Sequence, residues 1–314
     1  MVKFGVFLPF YAFGFNGERY RSFELLKEIV LECEKLGYHS VWIDDHLMYG
    51  DKPVLECWTT LSALSTLTSR IRLGTMVLCN AFRNPAVMAK MAATLDLISH
   101  GRLELGLGVG AQREEHEAYG LEFPTLRVRA DRLKEAIEVM KRLWVETEAT
   151  FHGRYYRMEN AICQPKPMQK PHPPIVIGGC SNPVLEVTAK HADRFDWGPV
   201  PLEKYRTLLQ TLEKRCRRIG RDPDTIEKAS WLGGTIYMAE DLRRLEANIA
   251  MWKPAGMSTR VFKKQNLLAT PEKVIGIIQE YLDLDVTFFM LYFGDLPEKS
   301  SIRIFAEKVV REFL

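Results

Sequence analysis

One stretch, residues 70–119 (RIRLGTMVLCNAFRNPAVMAKMAATLDLISHGRLELGLGVGAQREEHEAY), constrains this chain more than any other. Residues 71–78 read as a short apolar strand. Pro85 then opens a helix, because its fixed φ suits the first helical position. Ala86, Ala89, Ala92, Ala93, Leu95 and Ile98 follow at helical spacing, and His100-Gly101 stops the run. A second strand, residues 102–107, comes next and ends in Gly-Val-Gly. Strand, helix and strand with short joints form a right-handed βαβ unit of a parallel sheet. Ligands of α/β folds bind at the carboxyl ends of such strands. The irregular segments after these two strands are therefore the first places to look for a site.

The same alternation runs through the rest of the chain. Residues 2–8 read as a strand, followed by an aromatic, Gly-containing loop with Tyr11, Phe13 and Phe15. Ser22 caps a helix that carries Leu25, Leu26, Ile29, Val30 and Cys33 on one face and closes at Gly37. Residues 40–44 form a strand with Asp45-His46 at its carboxyl end, and 55–67 a helix. Beyond the opening stretch come a long amphipathic helix at 125–145 and a hairpin at 150–161, turning at His152-Gly153-Arg154. A stiff proline-rich run, 164–174, delivers the chain to a buried strand at 175–177 that ends in Gly178-Gly179. Asn182-Pro183 starts the next helix, and 194–197 is a sixth strand. The helix at 202–219 carries Lys214, Arg215, Arg217 and Arg218, which read as a solvated helix end. Strands at 229–238 and 287–291 and helices at 240–250, 271–282 and 299–313 complete the pattern, with 253–269 an irregular segment near the site. Eight strands alternating with helices in 314 residues predict one α/β domain, a (β/α)8 TIM barrel with insertions. The rival is a doubly wound open sheet, which the strand count and the lack of a GxGxxG loop after the first strand disfavour.

Composition narrows the partners. A net charge of +3 is too mild to argue for nucleic acid, and no apolar run approaches the roughly 18 residues of a membrane span. The sequence opens directly on a strand, so no leader is expected. The six cysteines form no CxxC pair, which points to reduced thiols and a cytoplasmic location.

The predicted strand ends carry glycines, aromatics and a single Asp-His pair, Asp45-His46. They hold no zinc-spaced cluster, no glycosidase carboxylate pair and no nucleophile elbow. An apolar mouth with backbone donors suits a flat ligand that brings its own reactivity. Gly178-Gly179 between a buried strand and a helix start is suited to an anion, because the first amides of a helix attract one. Plainer readings stand beside these: Asp45-His46 as a strand end, Gly106, Gly108 and Gly110 as relief of crowding, Trp42 and Trp197 as packing groups, and His116 as a helix-surface or packing residue.

Over nearly its whole length the sequence resembles the bacterial luciferase-like monooxygenase family. The matching segments are FGVFLP, SVWIDDHL, RIRLGTMVL with FRNPAVMAKMAATLD, GRLELGLGVG with EEHEAYG, RLKEAIEVMKRLW, PPIVIGG and FFMLYFGD. Trp42, Asp45 and His46, with the closing LYFGD, most resemble the branch that uses the deazaflavin coenzyme F420. The resemblance implies a cofactor at the carboxyl end of the barrel, with Asp45 and His46 at its ring. It implies a cis peptide at Met76–Val77 behind the ring and Gly110 and Ala111 along the ring edge. Gly178, Gly179, Cys180, Ser181 and Asn182 would hold the phosphate, with Arg129 reaching towards it. One branch acting on sugar phosphates is proposed to use a glutamate just past the Gly-Val-Gly turn as proton donor. Arg113 stands there in this chain, beside Glu114 and Glu115. His46, with Asp45 beside it, is then the expected acid, since imidazoles titrate near neutrality.

The resulting expectation is an F420-dependent oxidoreductase that passes a hydride between a small organic substrate and ring C5, without a metal. The alternatives are an FMN-dependent monooxygenase fed by a partner flavin reductase, and a non-catalytic flavin-binding barrel. The resemblance also implies a homodimer through the helices near strands two and three, with Met88 and Met91 contributing.

Overall fold

The computed structural model describes residues 1–9 and 22–313. The loop residues Tyr11, Phe13 and Phe15 therefore lie outside the described residues. The strands are β1 Lys3–Phe7, β2 Ser40–Ile43, β3 Arg72–Thr75, β4 Leu78–Cys79, β5 Leu103–Gly108, β6 Ala149–His152, β7 Arg157–Ala161, β8 Ile175–Gly178, β9 Arg194–Asp196, β10 Lys228–Met238, β11 Asn266–Ala269 and β12 Val286–Phe293. The helices are α1 Ser22–Lys35, α2 Cys57–Leu67, α3 Pro85–Ile98, α4 Arg113–Ala118, α5 Leu126–Val145, α6 Asn182–His191, α7 Leu202–Arg218, α8 Leu242–Trp252, α9 Thr259–Gln265, α10 Pro271–Leu282 and α11 Ser300–Lys308. One parallel sheet runs β11-β10-β12-β1-β2-β3-β5-β8-β9, with β4 pairing β5, while β6 and β7 form the separate antiparallel hairpin. The sheet curls until its far side approaches β10. There the Glu227 amide donates to Asp193 O at 2.8 Å, beside a parallel bridge between Arg194 and Glu227.

Local chemistry sets these elements. Asn84 caps α3 by accepting from the Ala86 and Val87 amides, and Pro85 fills the first helical position, where a missing N–H costs nothing. Glu56 caps α2 in the same way through Trp58 and Thr59. Alternating residues of each strand divide between two layers. Phe4, Val6, Val41 and Ile43 face the helices, whereas Phe7, Trp42, Val176, Ala229, Trp231, Phe288 and Met290 pack inside the curl. Trp42 is fully buried there, so it is a packing group. Gly5 on β1 and Gly74 on β3 flank it, and a Cβ on either would overlap the indole.

At the amino ends of the strands the interior is filled by charge. Arg194 donates to Glu104 at 2.6 Å and to Glu227 at 2.7 Å, and Arg72 also holds Glu104. Burial pushes the Glu104 carboxyl up, but Arg194, Arg72 and His39 outweigh it and hold it below its ordinary value. Ion pairs thus fill the interior at that end, with a polar cleft outside them between Lys3, Asp193, Glu227 and Asp285.

Four expectations need correction. The strand expected at 71–78 is two strands, broken after Thr75. The segment 253–269, expected to be irregular, contains α9 and the extra strand β11, which pairs the second half of β10 from Thr235 to Met238. Arg215 leaves its solvated basic run and donates to Glu186 and to Asn182 Oδ1, at 3.1 and 3.0 Å. Met88, expected at a dimer contact, is buried in the core instead.

Candidate active site

The break in the third strand shapes the mouth. Between β3 and β4 the Met76–Val77 peptide is cis. The Thr75 hydroxyl spans the gap in the ladder, donating to Gly106 O at 2.8 Å and accepting from the Gly106 amide at 2.9 Å. Val77 is then thrust across β5 and β8. A Cβ on Gly108 would stand 2.5 Å from Val77 Cγ2, and one on Gly178 2.8 Å from it. These glycines do relieve crowding, and what crowds them is the Val77 shoulder.

The end of β2 supplies Asp45 and His46. Asp45 is 5% exposed, and its carboxylate accepts from Arg83 Nη1 at 2.7 Å, Arg83 Nη2 at 2.9 Å and the Cys79 amide at 2.8 Å. Arg83 also pairs with the α2 cap Glu56. Asp45 thus ties the β2 end to β4 through a bidentate pair of the strong kind. His46 Nδ1 lies 3.2 Å from Glu115 Oε2, and Glu115 also accepts from the Leu47 and Met48 amides. Glu115 is 2% exposed, so one buried carboxylate fixes both the loop and the imidazole.

The turn after β5 carries the next group. Gly110 has φ +74, and a Cβ there would press on Cys79 Sγ at 2.8 Å and on the His116 ring at 2.9 Å. Its carbonyl accepts from Arg129 Nη1 at 2.6 Å, and the Arg129 guanidinium stacks 3.7 Å from the Phe123 ring centroid. Arg129 therefore braces the turn carrying Gly110 and Ala111. His116 is fully buried between Phe82 and Phe123, with Nδ1 2.7 Å from Gln112 O, which is the packing role and not the surface one. Arg113 points outward and pairs with Glu117, while Glu114 is exposed. Two residues beyond Arg113, on the inner side of α4, Glu115 brings the carboxylate to His46.

At the far side, Gly178-Gly179 leads into Cys180, Ser181 and Asn182 at the start of α6. Gly179 has φ +106 and its amide is spent on Asp196 O at 2.7 Å, so it gives shape to the turn and no donor. The first amides of α6 have no intrahelical partner to donate to, and Pro183 carries none. Ser181 makes no side-chain cap bond. Arg215, which faces Asn182, has a buried Nε without a hydrogen-bond partner. An orphaned guanidinium N–H beside an open helix start fits a phosphate.

These groups surround one cavity of about 380 Å³, within the range of small-molecule sites. It is lined by Asp45, His46, Met76, Val77, Gly110, Ala111, Gly178 and Gly179, together with Phe7, Glu115, Asp196, Trp197 and Trp231. Arg129, Cys180, Ser181 and Asn182 do not line it. Arg129 borders a neighbouring cleft of about 390 Å³. Sequence reasoning missed Arg83, Asp196, Trp231 and Arg215. Asp196 sits at the carboxyl end of β9, accepting from Trp231 Nε1 at 2.7 Å and from the Gly198 amide at 2.8 Å. Burial pushes its carboxyl above the usual range, against the pull of Trp231, Gly198 and Arg194. In sequence it is one acid among buried strand residues, and nothing local marks it. Among the described residues no three His, Cys, Asp or Glu side chains gather as a metal cage, and no helix is long and apolar enough to cross a membrane.

Comparison with known proteins gives this geometry a setting. Named relatives include an F420-dependent glucose-6-phosphate dehydrogenase of Intrasporangium calvum, 37% identical over 88% of this chain and 90% of the relative. A protein of the same name from Segniliparus rotundus is 34% identical over 88% of this chain and 90% of its own. The solved structure of an F420-dependent secondary alcohol dehydrogenase, in complex with an F420-acetone adduct, superposes with a TM-score of 0.80 at 22% identity, covering 98% of both chains, and shares the fold. The sequence model of the luciferase-like monooxygenase family matches residues 2–281. This chain, with its broken third strand and glycine-lined mouth, belongs to the luciferase-like monooxygenase family.

Proposed function

We propose that this chain is an F420-dependent oxidoreductase whose sheet closes as a (β/α)8 barrel around the cavity described. The observation that carries the reading is the slot itself. The Val77 shoulder, seated in Gly108 and Gly178, faces an apolar space bordered by the Gly110-Ala111 turn and by Gly178-Gly179. Relatives named for F420 support the choice of cofactor. Met76 and Val77 would back the ring, Gly110 and Ala111 would follow its edge, and the α6 amides with Ser181, Asn182 and Arg215 would hold the phosphate. The bound deazaflavin would supply a hydride acceptor or donor at ring C5.

The chain's own residues do the rest. Glu115 orients the His46 imidazole at Nδ1, which supports His46 as the group that exchanges a proton with the substrate. Asp45 is committed to Arg83 and serves as an anchor for the ring end of β2. The aromatic walls exclude water from the mouth. The test is titration of the purified protein with oxidised F420 and with FMN, followed by cofactor fluorescence. Saturable binding of F420 with no comparable binding of FMN is expected. Tight FMN binding with oxygen uptake by the reduced complex would replace this reading with the flavin monooxygenase that the family description favours. Such an enzyme would also need a flavin reductase. We further propose a cytoplasmic homodimer, with the exposed Val87, Leu97 and Ile98 of α3 at the contact, which light scattering checks.

A further inference from the structure

Two clamps hold the turn that borders the cavity after β5, and they differ in kind. Arg129, a permanent cation, donates to Gly110 O at 2.6 Å. Two residues on, Gln112 O lies 2.7 Å from His116 Nδ1. The helical bond from the His116 amide to the same carbonyl is long, at 3.4 Å, and Gln112 makes no side-chain cap bond. The imidazole is therefore what fastens the start of α4. A carbonyl oxygen only accepts, so Nδ1 carries the proton, and Nε2 of the neutral ring is left as an acceptor. Cys79 Sγ lies 3.4 Å from that Nε2. Burial pushes the Cys79 thiol up to about 12, so it keeps its hydrogen and donates it to the ring. Thiol, imidazole and carbonyl form one relay from the end of β4 to the turn. Gly110 packs directly on the thiol and the ring, with no room for a Cβ between, and Cys79, Gly110, Ala111 and His116 all line the cavity.

The relay works in one protonation state. His116 is fully buried, with Phe82 and Phe123 on its ring. A second proton, on Nε2, would set a donor against the thiol's own and place a charge in that apolar seat. The cations around it are Arg113, which pairs with Glu117, and Arg129, whose guanidiniums lie 4.9 and 3.7 Å from the Phe123 ring centroid, with Arg83 next to Phe82. The nearby carboxylates are committed: Glu115 to His46 and the Leu47 and Met48 amides, Asp45 to Arg83 and the Cys79 amide. An imidazolium there would find no unengaged carboxylate among these groups.

We propose that His116 is a positioning residue for the cofactor: as the neutral Nδ1–H tautomer, held by Cys79, it fixes Gln112 O and with it the Gly110-Ala111 turn along the ring edge, and a proton on Nε2 releases that turn. This rests on the F420 reading for what the turn meets, but not for the hydrogen bonds that hold it. The test pairs nitrogen NMR of the histidine rings with F420 titrations of wild type and His116→Phe from pH 8 to 5. Phenylalanine keeps the packing against Phe82 and Phe123 but neither donates nor titrates. At pH 8 wild-type His116 is expected in the Nδ1–H form, and H116F should bind F420 about tenfold more weakly, the order of one buried hydrogen bond. Titration of F420 itself and of His46 acts on both proteins alike, so the ratio of the two affinities isolates His116. That ratio should shrink towards one as pH falls, because wild type loses a relay that the variant never had. An Nε2–H ring at pH 8, equal affinities at pH 8, or a ratio unchanged down to pH 5 each overturns the proposal; the last would mean that His116 acts by packing alone. Should H116F fold poorly, the backbone amide shifts of Gly110, Ala111 and Gln112 in wild type decide the matter. Shifts that follow the His116 ring titration support the proposal, and shifts indifferent to it refute it. Failure of wild type to bind F420 would instead defeat the preceding reading, and the same NMR measurements would still decide this one.

Discussion

The seat of Val77 permits a sharp prediction. Gly108 has ordinary strand dihedrals, so alanine there meets no backbone penalty; what it meets is Val77 Cγ2 at 2.5 Å, with Val77 Cβ at 3.7 Å. A gap of 2.5 Å is about an ångström inside van der Waals contact, and overpacking of this kind costs about 1–3 kcal/mol. Val77→Ala removes both γ-carbons from a half-buried site, at about 0.8 kcal/mol for each fully buried carbon and less here. In the double variant the new methyl faces Val77 Cβ at the relaxed distance of 3.7 Å, so the clash disappears. Urea unfolding should therefore show Gly108→Ala as the more damaging single change and the pair as little worse than Val77→Ala. The coupling would be about 1–3 kcal/mol in the rescuing direction. F420 affinity should fall in both single variants, because the shoulder is displaced in one and shortened in the other. Additive destabilisation by the two changes would refute the claim that Val77 is what the glycine accommodates.

Other outcomes follow from the same geometry. Arg83→Met leaves the buried Asp45 carboxylate without its guanidinium, still accepting from the Cys79 amide, and should cost about 3 kcal/mol or more in chemical denaturation; adding Asp45→Asn should recover part of it. Glu115→Gln should keep the fold but lower kcat for hydride transfer about tenfold or more without a matching rise in KM, since the imidazole loses the carboxylate that orients it. Burial lowers the pKa of His39 to about 4 and that of His191 to about 3, so ring-proton NMR should show neither imidazole titrating between pH 8 and 5. Asp196 behaves oppositely. Its folded pKa lies above the ordinary 3.8, so its contribution to stability is present below that pH and fades as pH rises through the folded value. Melting temperatures of wild type minus those of Asp196→Asn should therefore increase as pH falls from 7 towards 4.

The residue string determined the alternation of strands and helices, because hydrophobic period, proline and glycine are local signals. Pro85 at a helix start and Gly178-Gly179 before one are examples in which backbone chemistry leaves little choice. The Asp45-His46 pair and the glycines after β5 were legible for the same reason. Tertiary structure alone decided what each of them touches. Arg83 claims Asp45 across 38 positions, Glu115 reaches His46 across 69, and Asp196 meets Trp231 across 35. Those pairings depend on how neighbouring strands align when the sheet curls, and no window of sequence contains that alignment. The extra strand β11 escaped for a related reason: four residues form a strand only because the second half of β10 offers an edge. A chain writes its periodicity into neighbouring residues, but the partners of its buried charges are chosen by distance in space.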